Sequence, residues 1–379
     1  MKIPFNKPFM TGKELDFIRQ AHRHGWLAGK GIFTSRCQDW LKKNIGCNKA
    51  ILAHSGTAAL EMAALLADIQ PGDEIIMPSY TFVSTANAFV LRGGIPVFVN
   101  IREDTLNIDE TKIEAAITKK TKAIVPVHYA GVGCDMDVIM QIAKKHRLLV
   151  IEDAAHGIKT DYKKRPLGSI GHMAALSFHE TKNVISGEGG ALLINDSRFW
   201  DRSDYIADKG TNRQQFIQGR VDKYTWIDIG LSFYPSELIA AFLWAQLKDV
   251  EFITRKRLDI WRKYHQALEK LEDARCIRRP IVPGSCRHNG HMYYLLLSRR
   301  GHRNELIARL ERKGIAATFH YVPLHNSPAG KKFGRVYGSM ETTQSVSERL
   351  IRLPLWIGLE KYQDFVIKNL KEEIGKLST

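Results

Sequence analysis

Short apolar segments alternate with helical patterns between residues 50 and 153, and this alternation is the feature that most constrains the fold. Apolar strands of five or six residues that alternate with helices are typical of a mostly parallel sheet with helices on both faces. The chain is therefore predicted to have an α/β fold. The predicted strands are 50–55, 71–80 (after a turn), 95–101, 123–129, 148–153, 174–178 and 191–194, and the helices are 57–67, 81–94, 107–118 and 136–147.

The alternation stops after residue 196, which indicates a second unit. Residues 200–230 are polar and contain glycine, as in a long functional loop, and 235–271 carries a helical period over many turns. A strand at 292–297, a helix at 304–314, a strand at 315–322 and a last helix at 361–376 predict a smaller α+β unit. The predicted division is an N-terminal arm (1–30), a large domain (31–250) and a small C-terminal domain (251–379).

The composition excludes several classes of protein. The chain has 379 residues, of which 44% are hydrophobic and 25% charged, as in soluble globular proteins. It has no run of about 18 apolar residues, and its first ten residues lack an apolar signal core, so we expect neither membrane insertion nor export. The five cysteines are scattered without a CxxC pair, which predicts no disulfide framework, no metal site and a cytoplasmic location.

The formal net charge of +16 leaves three interpretations open: nucleic acid binding, an anionic small substrate, or a solvated surface rich in lysine. The basic clusters at 163–166 and 299–303 are not interleaved with aromatic residues, and no helix-turn-helix or zinc-finger spacing is present. No nucleic acid partner is therefore predicted. The charge suits a ligand that carries a diphosphate, but it does not establish one.

Ligands of an open parallel sheet bind beyond the carboxyl ends of its strands, and residues after two strands fit a phosphate and a flat ring. Gly56, Thr57 and Ala58 follow the first strand and open a helix, whose free N–H groups and dipole favour a phosphate. The alternative is an ordinary helix cap made by Ser55 or Thr57. Phe82 or Tyr80 follows the second strand and could cover a flat ring, with core packing as the alternative.

Four more residues fall at the same edge of the predicted sheet. Asp153 ends an apolar strand, where a carboxylate needs a positive partner such as a pyridinium nitrogen, and His156 could bond an adjacent phenolate oxygen. Ser177 and Lys182 follow the next strand, and a partly desolvated lysine becomes a usable nucleophile. The alternatives are a capping aspartate and a solvent-facing lysine. Together, these residues occur in the order of a pyridoxal 5'-phosphate site.

Several motifs resemble those of the DegT-type sugar aminotransferases, which are vitamin B6 enzymes with the aspartate aminotransferase fold (fold type I). They are "SGTAAL", "PSYTFVSTANA", "EDAAHG", "SFHETKN" with "GEGG", and "YVPLH". A narrower likeness, in "VPVHYAG", "GTNR", "VDKYTW" and the segment after Tyr321, is to the dTDP-4-amino-4,6-dideoxygalactose transaminases of surface-polysaccharide synthesis. The likeness extends over nearly the whole chain, to "SERLIRLPLW" (347–356).

The resemblance implies a role for each site residue. Lys182 would bind the cofactor covalently, Asp153 would pair with the pyridine nitrogen, and His156 would lie near the ring hydroxyl. The cofactor contacts would be Gly56, Thr57, Ala58 and Ser177 at the phosphate, Phe82 on the ring, and Ser232 from the neighbouring subunit of a homodimer with shared active sites. Many relatives have asparagine where Ser232 stands and arginine where Tyr234 stands. Substrate contacts are expected at His179, Tyr321 and His325.

The resemblance also implies a reaction, the transfer of the amino group of L-glutamate to C4 of a dTDP-linked 4-keto-6-deoxyglucose. A nucleotide-sugar aminotransferase of different regiochemistry, stereochemistry or base is an alternative, as is a relative that binds the cofactor without catalysis. Dehydratases of this fold carry histidine where this chain has Lys182, which argues against a dehydratase. Transcription regulators with this fold need an added DNA-binding domain, for which we expect no room before the first motifs.

Overall fold

The computed structural model of this protein describes residues 2–378. The strands are β1 (Lys49–Ala53), β2 (Glu74–Pro78), β3 (Ile95–Val99), β4 (Thr121–Ile124), β5 (Leu149–Asp153), β6 (Asp161–Tyr162), β7 (Arg165–Pro166), β8 (Met173–Ser177), β9 (Gly190–Ile194), β10 (Ile277–Arg278), β11 (Cys286–Arg287), β12 (Tyr293–Leu297), β13 (Arg335–Val336) and β14 (Leu350–Leu353). The helices are α1 (Glu14–His24), α2 (Ile32–Ile45), α3 (Gly56–Leu66), α4 (Val83–Val90), α5 (Ile113–Ala116), α6 (Met136–His146), α7 (Trp200–Ala207), α8 (Arg213–Ile217), α9 (Glu237–Lys248), α10 (Val250–Ala267), α11 (Glu269–Asp273), α12 (His302–Arg312), α13 (Pro328–Phe333), α14 (Glu341–Arg349) and α15 (Gln363–Ser378).

The largest sheet has eight strands in the order β1-β9-β8-β5-β4-β2-β3-β13. Strand β9 is antiparallel to both of its neighbours, and the other strands all run in one direction. The predicted mostly parallel α/β sheet is therefore confirmed. Because β1, β2, β4, β5 and β8 share one direction, their carboxyl ends lie at the same edge of the sheet, where a ligand site is expected.

Helices cover both faces of this sheet, which explains why its strands are apolar throughout instead of alternating with polar residues. Successive side chains of one strand enter different cores, as a strand's pleat requires. Ile51 packs with α3 and α4, whereas Leu52 packs with α2 and α9. Ile75 likewise joins the first of these cores, and Ile76 packs with α6.

A second, three-stranded antiparallel sheet has the order β10-β12-β14. Residues of α10, α12 and α15 form a separate core on one of its faces. Two short segments pair with parts of the chain that are distant in sequence. Ile3 is buried in the core of the small sheet and forms a β-bridge with Ile315, and β13 pairs with β3 of the large sheet. The limits given above for the arm and the two domains stay predictions.

Five local predictions differ from the structure. The strand predicted at 123–129 ends at Ile124, and Tyr129–Gly131 forms a 3₁₀ turn. The helix predicted at 107–118 is reduced to a 3₁₀ turn and α5, because the chain becomes extended at Ile117. The polar stretch 200–230 contains α7 and α8, and α7 buries Ile206 and Ala207 in the core beside α3. The helix predicted at 235–271 breaks at Asp249, and 315–322 forms isolated bridges instead of a strand.

The longest helix of the described residues is α10, with 18 residues that include Glu251, Arg255, Lys256 and Arg257. No helix within residues 2–378 combines the length and the apolar character needed to cross a bilayer. The same residues contain no group of three or more His, Cys, Asp or Glu side chains placed to hold a metal ion.

Glu152 fixes the chain around the end of β5. Its fully buried carboxylate accepts hydrogen bonds from His128 Nε2 (2.8 Å) and from the backbone N–H groups of Gly168 (2.8 Å), Ile170 (2.8 Å) and Gly171 (2.6 Å). Burial by itself would raise the pKa of Glu152, but these donors hold that pKa below its ordinary value. The carboxylate therefore ties the loop before β8 to the strand that carries Asp153.

We expect Glu152→Gln to lower the free energy of unfolding at pH 7 by about 3 kcal/mol, because an amide leaves buried donors without an acceptor. The lowered pKa means that the stabilisation is complete above the unfolded pKa of glutamate and is lost as the pH falls through the folded pKa. The difference between wild type and variant should therefore shrink in acid. Urea unfolding at several pH values measures it. The exposed Glu311→Gln serves as the control, and equal effects of the two variants would contradict the prediction.

Candidate active site

A cavity of about 610 Å³ opens at the edge of the large sheet where β1, β5 and β8 end. Arg352 of the small sheet and the segment Phe319–Tyr321 close its other side. Most of the residues predicted for the site line this cavity, namely Gly56, Thr57, Phe82, Asp153, His156, Ser177, His179, Lys182 and Tyr321. Residues far apart in the sequence therefore meet at one place, as the order of the strands predicts.

Lys182 lies in the turn that connects β8 to β9. The pairing of these strands continues past their ends, since Phe178 N–H donates to Gly189 O at 2.8 Å. Asn183 anchors the turn from the other side, because its Oδ1 lies 2.9 Å from His291 Nδ1. The turn is thus held on two sides, and Lys182 is presented to the cavity from a fixed backbone.

Glycines beside this turn allow three chain segments to meet. A Cβ at Gly190 would lie 2.3 Å from Ser55 O and 2.6 Å from the Gly56 nitrogen, and a Cβ at Gly56 would lie 2.8 Å from Ser177 Cβ. Side chains at these two positions would push the start of α3 away from the ends of β8 and β9. The glycines after Lys182 therefore bring the helix N-terminus next to the lysine turn.

The amine of Lys182 is partly buried in the cavity wall, and this burial lowers its pKa to about 8. The carboxylate of Asp153 opposes the shift, and the positive charge of Arg352 adds to it. A lysine with a pKa of about 8 is unprotonated far more often near neutral pH than an ordinary lysine, and only an unprotonated amine is a nucleophile.

Asp153 is a buried carboxylate, 6% exposed, at the carboxyl end of β5. Its oxygens accept hydrogen bonds from Thr85 Oγ1 at 2.7 Å and from Ala155 N–H at 3.1 Å. Thr85 is itself bonded to Thr81 Oγ1 at 2.7 Å. Within residues 2–378, no basic side chain forms an ion pair with Asp153 within 4 Å. The carboxylate can therefore accept a positive group of a ligand in the cavity.

His156 lies beside Lys182 in the cavity wall, and its ring stacks on His291 with centroids 4.0 Å apart. Burial, and then the charges of Lys182 and Arg352, hold the pKa of His156 well below its ordinary value. Its Nδ1 is buried and has no hydrogen-bond partner in the described part of the chain. A neutral imidazole with an unsatisfied nitrogen is suited to a polar group of a bound ligand.

The N-terminus of α3 provides a site for an anion. The Ser55 side chain caps the helix by accepting from Ala58 N–H at 3.0 Å, so the Ala58 N–H is not free for a ligand in this structure. The N–H groups of Gly56 and Thr57 have no partner among the described residues, and the Ser177 hydroxyl lies next to them. The capped helix thus leaves two free donors and a hydroxyl for a phosphate.

The two aromatic candidates have different positions. Tyr80 is 1% exposed and packs in a core with Tyr129, whereas Phe82 is 57% exposed and lines the cavity. The ring of Phe82 lies 6.4 Å from that of Tyr321, which stacks on His320 at 3.6 Å. Of the two, only Phe82 can cover a flat ligand.

Two of the three residues expected to contact the substrate lie in the cavity wall, and the third lies outside it. Tyr321 and His179 line the cavity, and His179 Nδ1 lies 2.9 Å from Thr181 Oγ1. His325 lies outside the wall, with its Nδ1 2.7 Å from Ser79 Oγ. Ser232 is exposed and lies outside the cavity of its own chain, where its backbone forms a β-bridge with Asp208. The roles predicted for His325 and Ser232 stay predictions.

Two arginines and one histidine of the cavity wall were not identified from the sequence: Arg257, Arg352 and His291. They come from the second half of the chain, where the simple order of strands no longer indicates which residues meet. For Arg352 a signal exists, because a charged residue interrupts the apolar segment "RLIRLPLW". Such a residue is costly to bury without a partner and therefore marks a candidate site.

The residues of the cavity fit pyridoxal phosphate. The free N–H groups at the start of α3 suit its phosphate, and the unpaired Asp153 suits a protonated ring nitrogen. The unsatisfied His156 Nδ1 and the exposed face of Phe82 suit a polar aromatic ring. Lys182, with its lowered pKa, suits the aldehyde.

Comparisons with known proteins agree with this chemistry. Residues 8–371 match the model of the DegT/DnrJ/EryC1/StrS aminotransferase family. The chain is 34% identical over 362 residues to the spore coat polysaccharide biosynthesis protein SpsC of Bacillus subtilis, covering 93% of this chain and 92% of SpsC. Spr1654 of Streptococcus pneumoniae, described as a sugar aminotransferase and solved in its PLP form, superimposes with a TM-score of 0.92 at 26% identity, covering 100% of both chains.

The PMP form of Spr1654 has a TM-score of 0.91 at 27% identity and covers 99% of this chain and 100% of that one. The aspartate aminotransferase-like fold and the pyridoxal phosphate cofactor predicted from the sequence are therefore confirmed. The chain belongs to the DegT/DnrJ/EryC1/StrS aminotransferase family and is a pyridoxal-phosphate-dependent sugar aminotransferase.

Proposed function

We propose that this enzyme transfers the amino group of L-glutamate to C4 of dTDP-4-keto-6-deoxyglucose and forms dTDP-4-amino-4,6-dideoxygalactose. The observation that carries the aminotransferase chemistry is Lys182, whose amine has a pKa of about 8 and faces a cavity that also contains a buried, unpaired Asp153. The motifs shared with the dideoxygalactose transaminases support this particular sugar. The positively charged cavity also suits a substrate with a diphosphate.

Lys182 and Asp153 are proposed as the catalytic residues. When bound, pyridoxal phosphate supplies an aldehyde that binds amines and a ring that withdraws electrons from the carbon bearing the amine. Lys182 Nζ holds the cofactor between turnovers, takes the proton from Cα of the amino donor and later delivers a proton to C4 of the sugar. Asp153 keeps a positive charge on the ring nitrogen, and Thr85 and the Ala155 N–H orient its carboxylate.

The remaining cavity residues are proposed to hold the cofactor and the substrate. Gly56, Thr57 and Ser177 bind the phosphate, and Phe82 covers one face of the ring. His156 bonds the ring hydroxyl through its free Nδ1. Tyr321 and His179, the two predicted substrate residues in the cavity wall, contact the sugar nucleotide.

A homodimer with shared active sites is part of the proposal. The exposed segment around Ser232 carries the apolar side chains Trp226, Ile227, Ile229 and Leu231, which are 43–79% exposed. Clustered apolar side chains on a surface are typical of an interface between subunits. We propose that a second copy covers this segment and places Ser232 near its phosphate site. A cytoplasmic location is proposed, because all five cysteines are free, as is usual in a reducing compartment.

A substrate panel tests the proposed reaction. The purified holoenzyme is incubated with L-glutamate and nucleotide-linked 3-keto and 4-keto sugars that carry different bases, and the products are identified by mass and NMR. We expect a 4-amino sugar of galacto configuration from the dTDP-linked 4-ketone, at a kcat/KM at least tenfold above that for other bases. A 3-amino or gluco product identifies a different sugar aminotransferase, and no amino sugar from any ketone contradicts the proposal.

A further inference from the structure

His291 stacks on His156 in the cavity wall, although the two residues come from distant parts of the chain. His156 follows β5 of the large sheet, and His291 precedes β12 of the small sheet. Their ring centroids lie 4.0 Å apart, and the ring planes are inclined by 23°. His156 is 6% exposed and His291 is 8% exposed. The two imidazoles therefore form a buried, stacked pair.

His156 takes its orientation from contacts between rings. Its Nδ1 has no hydrogen-bond partner within residues 2–378. The ring stacks on His291, and Tyr129 approaches it edge-on with centroids 6.4 Å apart. The backbone carbonyl of His156 accepts a hydrogen bond from Asn289 Nδ2 at 2.9 Å, but a bond to the backbone does not fix the rotation of the side chain. Stacking on a second ring restricts the imidazole to one plane.

The ring of His291 is itself held in place by hydrogen bonds. Asn183 Nδ2 donates to the carbonyl of Asn289 at 2.9 Å, so Asn183 Oδ1 is the atom that faces His291 Nδ1, also at 2.9 Å. His291 Nδ1 therefore carries a proton and donates it. The backbone N–H of His291 donates to Asn289 Oδ1 at 3.0 Å, and Arg257 donates to the His291 carbonyl at 2.6 Å. His291 is thus fixed at its ring and at both ends of its backbone.

Both imidazoles of the stacked pair are neutral. Burial, and then the charges of His156, Lys182 and Arg257, hold the pKa of His291 well below its ordinary value. The pKa of His156 is lowered in the same way, by burial and then by Lys182. Two neutral rings stack without the repulsion of like charges and need no counter-ion. His291 therefore offers His156 a rigid surface and not a charge.

We propose that His291 is a positioning residue, whose ring holds the His156 imidazole in the plane in which it bonds the ring hydroxyl of the cofactor. This inference rests on the proposed function, which gives His156 that contact. The hydroxyl and the aldehyde of pyridoxal phosphate are attached to neighbouring ring carbons, so His156 and Lys182 must be fixed relative to each other. His291 contacts both segments, because it stacks on His156 and bonds Asn183, the residue after Lys182.

Two variants of one residue separate the ring from the hydrogen bond. His291→Phe keeps a ring that can stack and loses the donor, whereas His291→Asn keeps a donor for Asn183 Oδ1 and loses the ring. The readout is the absorbance of the holoenzyme at one pH, because the ratio of the cofactor's two bands depends on the hydrogen bond at its ring hydroxyl. We expect this ratio to change in His291→Asn and to match wild type in His291→Phe. The single-turnover rate with L-glutamate should fall roughly tenfold in His291→Asn, the equivalent of one stacked pair, and no more than about threefold in His291→Phe.

Three controls connect the effect to His156. His156→Ala should change the band ratio in the same direction as His291→Asn. The double variant of these two substitutions should react no more slowly than His156→Ala, because His291 acts through His156. His22→Gln removes an exposed histidine of α1 and should behave like wild type. In thermal unfolding, His291→Phe should have the lower midpoint of the two His291 variants, because it leaves the buried Asn183 Oδ1 without a donor.

Several results would overturn the positioning role of His291. If His291→Phe changes the band ratio as much as His291→Asn, the hydrogen bond to Asn183 matters and the stacking does not. Wild-type spectra in both variants, or a lower unfolding midpoint in His291→Asn than in His291→Phe, would also overturn it. A wild-type spectrum of His156→Ala would remove the contact of His156 with the cofactor, and the inference with it. A wild-type enzyme that reacts with glutamate but aminates no sugar contradicts only the proposed function.

Discussion

Lys182→Ala is expected to lose covalent attachment of the cofactor and to lower turnover by roughly 10³- to 10⁴-fold, since one residue supplies both the attachment point and the proton transfer. Treatment with borohydride fixes the cofactor to the lysine that binds it, and peptide mapping then locates the label. In wild type we expect the label on the peptide that contains residue 182. In Lys182→Ala we expect no label and no absorbance band of a bound aldehyde.

The matched control is Lys119→Ala, which removes an exposed lysine from the turn that precedes β4. This variant should retain the label and the activity of wild type. A wild-type label on any other lysine, or normal turnover by Lys182→Ala, would contradict the assignment. The two variants should differ clearly, because the amine of Lys182 has a pKa of about 8, which is below the pKa of an ordinary exposed lysine.

Asp153→Asn is expected to keep the cofactor and to lower kcat by roughly 100- to 1,000-fold, the size of effect seen when one preorganised electrostatic partner is removed. The asparagine has nearly the same shape, and it can still bond Thr85 Oγ1 and the Ala155 N–H. The fold should therefore persist. What is lost is the negative charge that favours a protonated ring nitrogen, and with it the electron withdrawal that makes the Cα proton acidic.

Cofactor content and single-turnover rates with L-glutamate measure this prediction. Thr85→Val is the control, because it removes a hydrogen bond to Asp153 but keeps its charge. It should slow the reaction by no more than about tenfold. Full activity of Asp153→Asn would exclude the carboxylate from its proposed role. Loss of cofactor from Asp153→Asn would show that Asp153 is needed to bind the cofactor and not to keep its ring nitrogen protonated.

Much of the large sheet could be predicted because its information is local. The helix α3 and the strands β5, β8 and β9 were predicted to within one or two residues of their observed ends. The helix predicted at 107–118 was wrong, because its apolar period suits a helix but the backbone becomes extended at Ile117. The continuous helix predicted at 235–271 was also wrong, because its helical period runs across two helices that are separated at Asp249.

The candidate site was predicted more completely in the first half of the chain than in the second, where Tyr321 is the predicted residue that lines the cavity. Gly56, Asp153 and Lys182 follow strands that share a direction, so chain order alone indicated that they meet. Arg257 of α10, His291 before β12 and Arg352 of β14 reach the same cavity. Whether these residues reach the cavity depends on how the two sheets pack together. The hydrophobic period of a local segment carries no information about that packing.

The amino-acid sequence by itself determined the α/β class, the edge of the sheet at which chemistry occurs, and the lysine and aspartate at that edge. These follow from periodicity and from chain order, which are properties of neighbouring residues. Only the tertiary structure decided that the Lys182 amine has a lowered pKa, that Asp153 has no cation beside it, and that Arg352 has no anion. Burial and unpaired charge are properties of the surroundings, and the surroundings exist only after distant segments have packed together.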